Sequence, residues 1–275
     1  MSPAPPPPLA QAIGEQEFRA FSTWLHREAG IHLGEQKKAL VAGRLASRLR
    51  HHGLQRFGEY YELLHSPRHA PERQIALDLL TTNETSFFRE PRHFDFLRER
   101  IVPAHAGGKP LRVWSAACSS GEEPYSIALV LCSTLGDRPW EVLASDLSSR
   151  VLERARQARY PMARAGQIPT ALLHAHCLKG TGRHEGQFAV APEAASRVRF
   201  QQVNLNGPLP ALGEFELILL RNVMIYFDAS TKQAVLDRVL ACLRPGGHLL
   251  IGHSESLAGL RTGLRPVAPA IYLKP

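Results

Sequence analysis

Apolar residues in the first third of the chain recur at helical spacing. Phe18, Phe21, Trp24 and Leu25 lie three, six and seven positions apart, on one side of a helix that Gly30 can end. Val41, Leu45 and Leu49 repeat every four residues within a second helix, Leu40–Arg50. Tyr60, Tyr61, Leu63 and Leu64 mark a third, closed by Ser66-Pro67, and Ile75 to Leu80 begins a fourth. The pattern predicts a small all-helical domain over residues 15–80, then a linker and connecting helix over 81–110.

From Leu111 the pattern changes to apolar runs of strand length alternating with amphipathic helices. Strands are expected at Leu111–Ala117, Glu141–Ser145, Val198–Leu205, Phe215–Leu220, His248–Gly252 and Ala270–Leu273. Helices are expected at Glu122–Leu135, Arg150–Ala158 and Ser230–Leu243, the last stopped by Pro245-Gly246-Gly247. Such alternation implies an α/β domain over 111–275 with a mostly parallel sheet covered on both faces. Right-handed crossovers then bring the carboxyl ends of the strands to one edge, where ligands bind. The stretch from about Leu172 to Ala195 breaks the alternation. With Gly180, Gly182 and Gly186 before Phe188 and Val190, it reads as a small antiparallel β-insert.

Composition narrows the class. The 275 residues are 44% hydrophobic, enough for a substantial core, and no apolar run nears the roughly 18 to 20 residues that span a bilayer. The proline-rich stretch from Pro3 to Pro8 reads as a disordered lead-in over residues 1–14. The N-terminus lacks the order of a secretory signal, and the four cysteines (Cys118, Cys132, Cys177, Cys242) form no Cys-x-x-Cys pair. Together these favour the cytoplasm and no disulfide framework. The thirteen histidines show no His-Glu-x-x-His or similar spacing, so no metal site is expected. A net charge of +8 favours anionic partners without choosing among them.

The strand ends carry the candidate chemistry. After the first strand comes Ala116-Ala117-Cys118-Ser119-Ser120-Gly121-Glu122-Glu123-Pro124, small residues that let a ligand approach the backbone; a plain tight turn would look the same. Asp146 ends the second strand and can accept hydrogen bonds from ribose hydroxyls or cap the next helix. Glu122 and Glu123 would repel a pyrophosphate but suit a cofactor with ammonium and sulfonium charges, which favours S-adenosylmethionine; complementing the helix N-terminus also explains them. Asn204 and Leu205 follow the third strand, where an amide can read an adenine edge and a leucine pack on the ring. Arg221 and Asn222 follow the fourth. Polar groups gathered at one sheet edge favour a site over isolated caps.

Several strings here are long and unusual: Leu80-Thr81-Thr82-Asn83-Glu84-Thr85-Ser86-Phe87-Phe88-Arg89-Glu90, Val113-Trp114-Ser115-Ala116-Ala117 with Gly121-Glu122-Glu123-Pro124-Tyr125-Ser126, Arg221-Asn222-Val223-Met224-Ile225-Tyr226-Phe227, and Gly252-His253-Ser254-Glu255. From about Phe18 to the C-terminus the chain resembles the chemotaxis receptor methyltransferase (CheR) family. The resemblance implies a helical N-terminal domain, a class I, Rossmann-like S-adenosylmethionine methyltransferase domain and a small β-subdomain. It implies methyl transfer from S-adenosylmethionine to glutamate carboxylates of chemoreceptors, leaving S-adenosylhomocysteine. Carried over residue by residue, the cofactor contacts are Asn83, Thr85, Arg89, Glu123, Asp146, Asn204, Leu205, Arg221 and Asn222, with Arg89 and Tyr226 near the reacting methyl group.

Two partner surfaces are expected on the same ground. Lys37, Arg44 and Arg48 share a helical side in a segment with six basic residues, either a solvated face or a docking surface for a receptor's cytoplasmic methylation region; Ser47 stands where a basic residue is expected. The insert around Gly180 and Gly182 resembles the β-subdomain loop of members that grip a receptor's C-terminal peptide, and a structural flap is the alternative. A nucleic-acid methyltransferase is disfavoured: no Asn-Pro-Pro-Tyr-like motif follows the fourth strand, and no basic patch interleaves with aromatics. A non-catalytic adaptor is disfavoured by intact Arg89, Asp146 and Tyr226.

Overall fold

The computed structural model describes residues 12–105 and 108–275 and divides into two compact units between Thr82 and Asn83. The proline-rich stretch before residue 12 lies outside the described residues.

The N-terminal unit holds four helices: α1 (Glu15–Ala29), α2 (Lys38–His51), α3 (Phe57–His65) and α4 (Ala70–Leu80). The predicted apolar stripes of α1 and α2 are its core: Phe18, Phe21, Trp24 and Leu25 of α1 and Val41, Leu45 and Leu49 of α2 are all buried. Of the four residues that mark α3, Tyr60 and Leu64 are buried, joined by Phe57, whereas Tyr61 and Leu63 are half-buried. Gly30 ends α1 in the left-handed conformation (φ 72°), its N–H returning to the His26 carbonyl. At the other end Glu17 accepts the Gly14 N–H at 2.7 Å and, with its second oxygen, the Gly58 N–H at 2.6 Å. One carboxylate thus caps α1 and ties it to the start of α3.

In the C-terminal unit a helix runs from α5 (Arg92–Phe96) through a π-turn (Leu97–Ile101) into α6 (Val102–Ala104). Then come β1 (Leu111–Ser115), α7 (Glu122–Leu135), β2 (Trp140–Asp146), α8 (Ser149–Arg156), β3 (Arg159–Pro161), α9 (Thr170–His176), β4 (Cys177–Lys179), β5 (Gln187–Val190), α10 (Pro192–Ala195), β6 (Val198–Gln202), β7 (Phe215–Leu220), α11 (Ala229–Ala241), β8 (Leu243–Ile251), β9 (Arg265–Ala268) and β10 (Ile271–Leu273). The main sheet has the order β6-β2-β1-β7-β8-β10-β9. Its first five strands are parallel, and β10 runs antiparallel to β8 and β9. Strand order reverses between β1 and β7, so the loops leaving these two strands diverge and open a crevice at their carboxyl ends. The first ten residues of α7 are all buried, including Glu122 and Glu123.

Three details depart from the sequence reading. The small antiparallel sheet, β3-β5-β4, recruits Arg159–Pro161 and so starts well before Leu172. Pro245-Gly246-Gly247 does not precede a strand but lies inside β8, where the backbones of Gly246 and Gly247 pair with Lys274. The third strand stops at Gln202, leaving Val203, Asn204 and Leu205 in the loop. Among the described residues, no helix is long and apolar enough to cross a membrane.

Candidate active site

The loop from β1 to α7 is built by strain and close packing. Ser119 (φ 49°) and Gly121 (φ 96°) both take left-handed backbone conformations. A β-carbon on Gly121 would lie 2.7 Å from the Tyr160 hydroxyl and 2.9 Å from the Ala155 methyl, so only glycine fits. Tyr160, on β3, donates to the Ser120 carbonyl at 2.8 Å, which makes the small sheet a buttress of this loop. Trp114 Nε1 donates to Ser145 Oγ at 2.9 Å and locks β1 to β2 just below the crevice.

Asp146, at the end of β2, joins two loops. One carboxylate oxygen accepts the Ser119 N–H at 2.8 Å and the other the Ser148 N–H at 2.9 Å. Helix α8 is capped instead by Ser148, whose Oγ accepts from Val151. Two other expected cofactor residues converge here: the Asn83 carbonyl accepts from Ser119 Oγ at 2.8 Å, and the Val203 N–H bonds the Asp146 carbonyl, bringing Asn204 alongside. The Asn204 side chain accepts the Asn206 N–H, and Leu205 is buried with its carbonyl held by Arg238.

A second cluster centres on Arg221, whose side chain is 2% exposed. It donates to Glu123 at 2.6 Å, to Glu90 at 2.9 and 3.3 Å, and to the Arg89 carbonyl. Glu123 also accepts from Ser115 Oγ at 2.7 Å. Burial alone would lower the pKa of Arg221, but the two carboxylates outweigh it and raise it. Burial likewise pushes Glu90 up, and the charge and hydrogen bonds of Arg221 overcome it and hold this acid below its usual range. The neighbouring Glu122 stands differently: burial raises it, opposed by hydrogen bonds that include one from Ser120 and by the charge of Arg164. Arg164 also donates to the Thr85 carbonyl, which fixes that residue beside α7.

The loop after β7 is gripped by an acid that the sequence presents without an evident role. Glu255 accepts four backbone N–H groups, from Asn222, Val223, Met224 and Gly252, at 2.6 to 3.0 Å. That grip holds Asn222 in a left-handed conformation (φ 54°), its amide so near Gly252 that a β-carbon there would lie 2.5 Å from it. Tyr226 sits half-buried in the following short turn, Met224–Tyr226. Arg89 lies between two residues with positive φ, Phe88 and Glu90, and its guanidinium donates to the Glu84 carbonyl at 3.2 Å.

The expected partner residues are placed less simply. Arg44 donates to the carbonyls of Leu80 and Thr81 and to the Thr82 hydroxyl, capping the end of α4. Arg48 makes two 2.7 Å hydrogen bonds to the buried Glu72, which also accepts the Tyr60 hydroxyl. Both arginines are therefore committed to their own unit, while Lys37, Arg50 and Arg56 are the exposed lysine and arginine residues of that segment. Gly180 pairs with Gln187, and a β-carbon on it would run into the His184 carbonyl; Gly182 takes φ 57° in open space.

The crevice thus gathers acids at the end of β2 and the start of α7, and its buried cation, Arg221, is neutralised by Glu123 and Glu90. Such a donor set suits a ligand with hydroxyls and positive charge, so the residues fit S-adenosylmethionine. The comparisons agree. Residues 83–271 match the model of the CheR methyltransferase SAM-binding domain, and residues 16–81 that of the CheR methyltransferase all-alpha domain. A chemotaxis protein methyltransferase of Escherichia coli K12 is 43% identical over 252 residues, covering 90% of this chain and 87% of the relative. Chemotaxis protein methyltransferase 2 of Pseudomonas aeruginosa PAO1 is 42% identical over 260 residues, covering 94% and 92%. The chain belongs to the CheR methyltransferase family, with both of that family's domains present.

Proposed function

We propose that this chain is a cytoplasmic enzyme that transfers a methyl group from S-adenosylmethionine to the side-chain carboxylates of glutamates on chemoreceptors, giving glutamate methyl esters. The observation that carries the reading is the acid-lined crevice around Asp146 and Glu123, on a chain whose relatives are named chemotaxis protein methyltransferases. When bound, S-adenosylmethionine supplies an electrophilic methyl group on a sulfonium. Asp146 would take the ribose hydroxyls and Glu123 the ammonium, with Asn83, Thr85, Asn204, Leu205 and Asn222 lining the rest. Arg221 acts by fixing Glu123 and Glu90 in place and by holding Glu90 ionised.

A glutamate carboxylate is already nucleophilic at neutral pH, so no general base is needed. Alignment and exclusion of water are what remain, and positioning can lower a barrier by roughly 7 to 11 kcal/mol. Charge is lost as carboxylate and sulfonium neutralise each other, so a tight cationic grip on the attacking oxygen would slow transfer. Arg89 is assigned to orienting a carboxylate and Tyr226 to a hydrogen bond near the reacting atoms. The receptor's C-terminal peptide is assigned to the outer edge of β4, which among the described residues pairs only with β5.

Calorimetric titration with S-adenosylmethionine and S-adenosylhomocysteine tests the first part. Micromolar binding that Asp146→Ala abolishes is expected; no binding by the wild type sinks the reading. Transfer of a labelled methyl group to receptor, released as methanol by mild alkali, tests the ester, since an N-methyl group would survive. Arg89→Ala and Tyr226→Phe should both slow that transfer, and full activity removes either from the mechanism.

A further inference from the structure

Behind the crevice, Glu90, His93 and His253 bring one ligand atom each to within 4.8 Å of one another. His93 Nδ1 stands 3.5 Å from Glu90 Oε2, and the two imidazole rings meet edge to face with centroids 5.1 Å apart. A tetrahedral zinc ion with bonds of about 2.0 to 2.1 Å sets its ligand atoms roughly 3.3 to 3.4 Å apart, close to the first of these spacings. His93 carries the independent observation. It is 1% exposed, yet neither ring nitrogen has a hydrogen-bond partner. An unsatisfied buried polar group costs on the order of 1 to 3 kcal/mol, and a bound ion would satisfy one of the two ring nitrogens.

We propose that Glu90, His93 and His253 form a binding site for one borderline divalent metal ion, of the zinc type, with a fourth position open to water. Two imidazoles and a carboxylate select such an ion over magnesium or calcium, which prefer oxygen ligands. The burial is graded as an entry path requires: His93 is buried, Glu90 half-buried and His253 exposed. Charge permits it, because Arg221 is already offset by two carboxylates, Glu90 and Glu123. The surface groove that His253 lines carries Arg92 and Arg100, balanced by Asp95 and Glu99. His253 is further fixed through its backbone N–H, which Glu90 Oε1 accepts at 3.1 Å. The sequence hides this site, because Glu90 and His93 are a local Glu-x-x-His pair while His253 comes from the far end of β8. Occupancy would also make the metal and Arg221 share one carboxylate, linking this site to the crevice.

Cobalt(II) titration of the full chain, carrying no affinity tag, tests the site. One ion per chain with the visible bands of a low-coordinate cobalt is expected, displaced stoichiometrically by zinc. His253→Ala alters an exposed residue and should leave the denaturation curve unchanged while weakening cobalt binding more than about tenfold. The absence of such bands in the wild type overturns the proposal. So does binding by His253→Ala at wild-type affinity, which would assign the ion to the cysteines.

Discussion

Gly121 shows how closely a single position can be specified. Its backbone sits at φ 96°, and the Tyr160 hydroxyl and the Ala155 methyl occupy the space a side chain would need. Alanine there carries both a backbone penalty and a clash, so Gly121→Ala should destabilise the C-terminal unit by about 2 kcal/mol or more. It should also remove S-adenosylhomocysteine binding, because the clash lies inside the loop that places Ser119 against Asp146. Denaturation and calorimetry on the same sample check this; wild-type affinity in Gly121→Ala would show that the loop tolerates the shift. Arg221 makes the complementary point. As a residue in the sequence it is one more polar group at a strand end, and only the fold shows its two acids, from 131 and 98 positions away.

Within the helical unit, the pair Arg48–Glu72 joins α2 to α4. Burial would raise the Glu72 carboxyl, but hydrogen bonds from Arg48, Tyr60 and His52 lower it to about 2. A depressed acid stabilises the fold fully above its unfolded pKa of about 4.3 and loses that contribution as pH falls towards 2. The contribution is at most about 3 kcal/mol, so denaturation midpoints should decline between about pH 5 and 2, and Glu72→Gln should flatten that slope. Arg48→Met leaves the acid buried without its cation and should cost about 3 kcal/mol at pH 7. A change of only a few tenths would mean that Tyr60 and His52 suffice. At the edge of the small sheet, Gly180→Ala should impair binding of a receptor C-terminal peptide by calorimetry while sparing S-adenosylhomocysteine binding; unchanged peptide affinity would move that partner elsewhere. Elements with a strong period were legible in the chain: α7 runs Glu122–Leu135 as its pattern predicts, and the stripes of α1 and α2 are the core they suggested. Asp146 and Glu123 were legible too, as acids at the ends of a strand and the start of a helix. Elements that depend on distant partners were not. Strand β3 is three residues, one a proline, and exists because β5 pairs with it. Pro245-Gly246-Gly247 looks like a stop, yet Lys274 from the chain's end makes it part of β8. Glu255 shows nothing of its four N–H donors until the loop folds over it.

Across the whole molecule, charge is sorted between inside and outside. Glu72, Asp78, Glu122, Glu123 and Asp146 are buried, against Arg221 alone among the lysines and arginines described. The solvent-facing surface is therefore more basic than the net +8 of the chain. Methylation rates on an acidic receptor region should fall as salt rises past about 0.1 M, where the Debye length is about 10 Å. Affinity for S-adenosylhomocysteine should change little, because its acids are sheltered. Equal salt sensitivity of both would argue against electrostatic steering of the receptor. The hydrogen bond from Tyr160 to Ser120 bears on how such enzymes diversify. The small antiparallel insert and the loop after β1 interlock through one hydroxyl and one missing side chain, so the insert is not an interchangeable cassette. A chimera that imports a foreign insert will keep its chemistry only if the tyrosine and the glycine travel as a matched pair, and specificity in this lineage can drift only along paths that preserve that match.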